Sequence, residues 1–470
     1  MKKYLILTAL SGLLLAKNVT FNEVLKETLS NNLELKAKKL NIDKAKSDLD
    51  KVRGMEWGKF IFNEQISRTN NAMYVFGMKL GSREATFSDF GFSDFLAPLG
   101  GALMKANSNS LTPQDLAAMQ GILAIKPHDL NYPAPRSNFA TNFVYEIPIF
   151  TGFKLTYAKE MAKLQILANK YKFQRDKTLL ALEVLKAYNG AVAAKYFINA
   201  LNKAKETTSS FVKMVKEFKK EGMATDIDLL QAQKRDSQVD AYLQEAKNKY
   251  VLALSYLRFL SDDYDITSVG DFEVIISPDS NLKTLIKEAL KNRNDLKWMK
   301  KNYETMKKKV KFDSAENYPM IGAHLEYGWN DNTVANIRSD KDYWLAAIGL
   351  KYNIFDKSKD ADIEKSKIEA LQTGYYYQYM KKAIALDVRQ KYLNLKTKTK
   401  IIKNKLTNKE LAEEILKKYT YMYKQGMINM TILLMKEADA RKARAELIKA
   451  KYDEAVAAAK LKASIGDFVK

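Results

Sequence analysis

Glu221-Gly222-Met223 and Gln425-Gly426-Met427 are the two short steps around which this chain is arranged. Each closes a run that has no proline and one internal glycine: residues 153–221 with Gly190, and residues 356–425 with Gly374. Each then opens a shorter, glycine-free run, 223–261 and 427–465. A helix over the long run would extend roughly 100 Å at 1.5 Å per residue. Globular helices average about 11–12 residues, so no ordinary core calls for two of that length. A long arm, a glycine step and a shorter arm, occurring twice, read as a duplicated helical hairpin.

The flanking sequence repeats as well. Residues 20–53 read as a helix, with Leu25, Leu29, Leu33, Ala37 and Leu40 on one face. A strand follows at about 56–67, where Phe60, Phe62, Glu64 and Ile66 alternate with Lys59, Ile61 and Asn63. A second strand, 138–150, sets Phe139, Thr141, Phe143, Tyr145, Ile147 and Ile149 on one face and mostly polar residues on the other. After the first hairpin, Lys287-Glu288-Ala289-Leu290-Lys291-Asn292 parallels Lys26-Glu27-Thr28-Leu29-Ser30-Asn31 at an offset of 261. Strands at about 320–329 and 342–355 come next, the latter carrying Tyr352 and Ile354. Ile354-Phe355 then matches Ile149-Phe150 at an offset of 205. The fall in offset locates an excess in the first half, the loop 68–137. That loop is rich in Ser, Asn, Gly and Pro, and a connection of such length is generally functional or disordered. Within it, residues 112–123 read as a short helix capped by Thr112, with Pro113 at its first position. The organisation expected is a first structural repeat at 17–262 with its glycine turn at 222, a linker at 263–280, and a second repeat at 281–470 with its turn at 426.

Residues 1–16 read as a signal peptide: Lys2 and Lys3, an uncharged stretch from Leu5, and Ala16 before the cut. That stretch is too short to span about 30 Å of hydrocarbon, and no later run is long enough. There is no cysteine, which excludes disulfides and thiol chemistry. The formal charge is +23, but the lysines are spread along the arms among glutamates, which reads as solvated helix faces and not as a nucleic-acid surface. No Walker loop, zinc pair or nucleophile motif appears, and the two histidines, His128 and His324, stand apart. The chain therefore does not read as an enzyme, and neither a cofactor nor a metal is expected.

Each strand has the length that a tilted outer-membrane strand needs, about 9–11 residues. Four strands cannot close a barrel alone, and open edges cannot stay unpaired in lipid. Several chains must share one barrel, and three would supply twelve strands. The fold class expected is mainly α with membrane β: a trimeric twelve-stranded β-barrel, four strands per chain, continued by a long periplasmic α-helical barrel. Trp57, Trp329, Tyr343 and Trp344 are the candidate membrane-interface aromatics. The competing reading, an exported coiled-coil scaffold without a channel, accounts for the arms but not for the strands.

The residues resemble the outer membrane efflux protein (TolC) family. The carriers are Pro148-Ile149-Phe150-Thr151-Gly152, Gly222-Met223 with Asp228-Leu229-Leu230-Gln231-Ala232, Asn317-Tyr318-Pro319, and the repeat itself. The resemblance implies a homotrimer in the outer membrane, docked to a periplasmic adaptor and an inner-membrane pump, that conducts efflux or type I secretion substrates outward. It places Gly222, Met223, Gly426 and Met427 at periplasmic tips that contact the adaptor. It also implies a constriction near those tips. The family often builds it from acidic residues on the second-half helix, where this chain has Ile432 and Met435, so the constriction is apolar or uses Asp226 and Asp228 of the first half.

Overall fold

The computed structural model describes residues 17–275, 280–334 and 336–468; the signal-peptide assignment at 1–16 falls outside them. Two compact units emerge. Residues up to Lys46, Ala162–Lys307 and Ile368 onward form one; Ser47–Met161 and Lys308–Lys367 form the other.

The first unit is almost wholly helical. Its long arms belong to helices Lys154–Lys220 (67 residues) and Lys357–Lys424 (68 residues), and its return arms are Asp226–Ser261 and Met430–Ser464. The segment 20–53 is not one helix. It breaks at Asn32 into Phe21–Asn31 and Leu33–Gly54. Asn32 leaves helical geometry because its amide serves two partners: Nδ2 donates to the Leu260 carbonyl at 3.0 Å, and Oδ1 accepts the Leu35 N–H at 3.0 Å. At the repeat-equivalent position Arg293 breaks Leu282–Asn292 from Asn294–Ser314. Its guanidinium donates to Asp295 at 2.6 Å and to Asp387 at 2.8 Å.

Duplication persists in the packing. Val24 and Val184 lie in one buried cluster, and their counterparts Leu285 and Val388 lie in a second. Helix Met430–Ser464 serves both: Val456 and Ala459 enter the first cluster, Ala457, Ala458 and Leu461 the second. Consecutive alanines let the helix approach both clusters closely. The segment 263–280 is more than a linker. It contains β4 (Ile266–Val269), which pairs in parallel with β1 (Lys17–Val19).

The second unit holds an antiparallel sheet of β2 (Lys59–Thr69), β3 (Arg136–Phe150), β5 (Met320–Asp331) and β6 (Asp342–Lys351), in the order β2-β3-β5-β6. Two boundaries differ from those expected. Trp57 lies before the sheet, in a 3-10 turn (Met55–Trp57), so β2 starts at Lys59. The last strand stops at Lys351, not at 355, because its partner β5 begins at Met320, directly after Pro319, and Met320 pairs with Lys351. Nothing on β5 remains to pair Tyr352 or Ile354. The loop 68–137 is neither open nor disordered. It folds as helices Ala72–Gly81, Phe92–Asn107, Pro113–Gly121 and His128–Asn131, with 3-10 turns between them. Thr112 caps Pro113–Gly121 by accepting the Asp115 N–H.

Candidate functional site

Register sorts the sheet into two faces. Phe62, Phe143, Tyr327 and Trp344 are successive cross-strand partners, as are Phe60, Tyr145, Leu325 and Ala346. That face is mostly apolar, with Glu64, Thr141 and Asp342 in the Trp329 row as its polar exceptions, and Phe60, Phe62, Ile66, Trp344, Ile348 and Leu350 are exposed on it. Phe143 stacks on Phe60, and Trp329 meets Tyr327 edge to face. The opposite face carries Asn63, Asn142, Gly328 and Tyr343 in one row, Ile61, Val144, Glu326 and Leu345 in the next, and Lys59, Glu146, His324 and Ala347 in the one after. Asn142 Nδ2 and the Tyr343 hydroxyl both donate to Glu326 Oε1, at 2.6 and 2.7 Å, and His324 stands 3.4 Å from the same carboxylate.

This corrects one of the four interface aromatics. Adjacent residues of a strand point to opposite faces, so Tyr343 and Trp344 cannot share one. Trp344 and Trp329 lie on the apolar face, whereas Tyr343 belongs to the polar network. Trp57 is exposed in its turn, and its carbonyl accepts from the Tyr145 hydroxyl at 2.7 Å.

In the helical unit the two glycine steps have the same geometry. Gly222 and Gly426 both sit at φ +72°. The Met223 N–H reaches back to the Phe218 carbonyl at 2.8 Å, and the Met427 N–H to the Met422 carbonyl at 3.0 Å. These six-to-one bonds satisfy carbonyls that a helix end leaves without partners. Met223 and Met427 stand 62% and 67% exposed just beyond. The next helix starts on Thr225 in one hairpin and on Asn429 in the other.

That capping accounts for the first-half aspartates. Asp228 accepts the Thr225 N–H at 3.0 Å and its hydroxyl at 2.7 Å, completing a capping box. Asp226 pairs with Lys219 across the turn. Both carboxylates also suit the positive end of a helix dipole. Asp228 therefore caps the helix start through Oδ2. Ile432 is half-buried, its N–H held by Asn429, and Met435 is half-exposed.

A group that the sequence analysis passed over lies close by. Glu437, 2% exposed, accepts from Arg441 at 3.3 Å and stands 3.9 Å from Arg235 of the other hairpin. Burial pushes its carboxyl above the ordinary range despite Arg441, Arg235 and Arg444. Thr431 donates to Gln231 at 3.0 Å, a second polar link between the hairpins. Neither pair has a sequence signal of its own.

Residues 285–467 match the family model of outer membrane efflux proteins. No curated protein matches the sequence. Among solved structures, the Campylobacter jejuni CmeC outer membrane channel is 15% identical, with a TM-score of 0.75 over 96% of this chain and 86% of that one. The outer membrane protein VceC of Vibrio cholerae is 12% identical at 0.70, over 95% and 96%. The open-state MtrE outer membrane channel of Neisseria gonorrhoeae is 14% identical at 0.70, over 96% and 89%. At these identities the likeness is one of fold.

Proposed function

From the match of residues 285–467 to the outer membrane efflux protein family model, we propose that this chain is the outer-membrane exit duct of an export system. Three copies share a twelve-stranded barrel and continue as a helical tunnel into the periplasm. The observation that carries this reading is the open four-stranded sheet. Edge strands β2 and β6 each pair on one side only, and one face is mostly apolar and exposed. Unpaired edges in lipid leave backbone groups without partners at several kcal/mol each, so closure by further copies is required. A coiled-coil scaffold has no use for such a sheet.

Met223 and Met427, exposed beside Gly222 and Gly426, would contact the periplasmic adaptor. Methionine suits an apolar contact that must adapt to its partner. Ile432 and Met435 would narrow the tunnel, and an apolar ring there would gate by dewetting. The duct conducts passively. An inner-membrane pump supplies the energy and selects the substrate, whether by efflux or by type I secretion.

The test is the mass of the detergent-extracted protein, with bound detergent subtracted, followed by bilayer recording. Trimers that insert and conduct support the duct. A monomeric rod that stays in solution without detergent sinks it.

A further inference from the structure

Among the described residues, the four helices between β2 and β3 have no counterpart in the second half, where a short connection from Asn332 to Lys341 joins β5 to β6. How they attach to the sheet gives their direction. Gly81, ending helix Ala72–Gly81, lies beside the Asn330 side chain of β5. The Glu84 carboxylate takes bonds from Arg136, at the start of β3, and from Lys341, just before β6. Arg136 also donates to Ser82 Oγ at 2.9 Å. Arg83 donates to the Asp342 carbonyl at 2.6 Å. Although burial pushes it up, hydrogen bonds from Lys341 and Arg136 hold the Glu84 carboxyl below its ordinary range. Asn330 and Arg136 stand an even number of residues along their strands from Glu326 and Asn142, so they lie on the same, polar face. Lys341 is 8% exposed and its carbonyl accepts the Asn330 N–H, which continues the Asn330 row. The insert is thus fastened from the side that a barrel turns to its lumen.

Resting on the duct reading above, we propose that residues 72–131 fold inward over the barrel mouth. There the inserts of the three copies meet and close the exit, each latched by Glu84 on Arg136 and Lys341. The insert leaves the sheet at the end of edge strand β2, whose open edge is the one that another copy must pair. Met73, Phe87, Met104 and Leu123 are exposed on it. Phe92, Phe95, Leu123 and Ile125 line a groove of about 280 Å³. Apolar surface of this kind, on an insert that is fastened to the polar face and leaves the sheet at its open edge, fits a second copy of itself.

The chain has no cysteine, so single replacements report without background. Met73→Cys, Met104→Cys and Leu123→Cys would be treated with a short bifunctional maleimide in assembled trimers. At least one should join copies, while Leu325→Cys, mid-sheet on the apolar face, should not. Glu84→Ala should raise single-channel conductance by about twofold or more, as expected when an apolar constriction is loosened. If that variant fails to assemble, replacing residues 72–131 by a short Gly-Ser linker should raise conductance in the same way. Conducting trimers with no cross-link at any insert position and unchanged conductance would overturn the closed mouth. Failure of the unaltered protein to form conducting trimers would instead overturn the duct on which the proposal stands.

Discussion

Glu437 shows how a single residue can work against its neighbours' charges. Three arginines face it, yet removal from water outweighs them and raises its carboxyl. Its folded pKa lies above the ordinary 4.5. Its contribution to stability is therefore fully present below about 4.5 and lost as pH rises through the folded value. At neutral pH the ionised carboxylate is a burden that the arginines only partly offset. We expect Glu437→Gln to hold or raise the melting temperature at pH 7, and this advantage over the unaltered protein to shrink as pH falls toward 4.5. Thermal unfolding across that range checks it. A variant that loses stability at pH 7 and recovers none on acidification would show that the arginine pairing outweighs burial. Residues of this type were hidden from sequence reasoning, because a glutamate among lysines on a long helix looks like any solvated charge. Asp228 was visible as an acidic residue, but the pattern Thr225 to Asp228 also marks a helix start, and that capping role was not read.

Among the elements, the glycine steps were the most legible. Two helix runs separated by glycine need a left-handed residue to turn, and both steps supply one at the same φ. A side chain at either position would meet nothing within 4 Å, so only backbone strain opposes it. Gly222→Ala and Gly426→Ala should each cost about 1–2 kcal/mol, the penalty of the left-handed region for an L-residue, while the helical circular dichroism stays unchanged. A much larger loss would mean that the turns are packed against something that the isolated chain does not carry. The helix breaks at Asn32 and Arg293 were not legible, since neither glycine nor proline marks them. Each exists because a side chain there bonds across to another element. The 68–137 segment was legible only in part. The helix that Pro113 begins was expected, whereas Phe92–Asn107, with Pro98 inside it, was not, because its glycines and proline mask the helix.

For the whole molecule, the repeat determines what each half must supply. Both halves give a hairpin and a strand pair, and only the first adds an insert. Alternation in the strands was read correctly as two faces, but a face cannot be assigned to lipid or lumen by neighbours in sequence; Tyr343 and Trp344 show this. The cross-strand register makes the assignment, and it can be tested on two adjacent residues of β6. Ile348 lies on the apolar face opposite Ala323, and Ala347 lies on the polar face opposite His324. If the apolar face meets lipid, a lysine at 348 brings its charge into hydrocarbon, at about 2–4 kcal/mol near the bilayer midplane. Three copies multiply that cost within one barrel. Ile348→Lys should therefore sharply reduce trimer recovered from outer membranes, whereas Ala347→Lys, facing a watered lumen, should assemble normally and alter only ion selectivity. Equal recovery of the two variants would mean that the sheet is not oriented by lipid, and a loss confined to Ala347→Lys would mean that its faces are reversed.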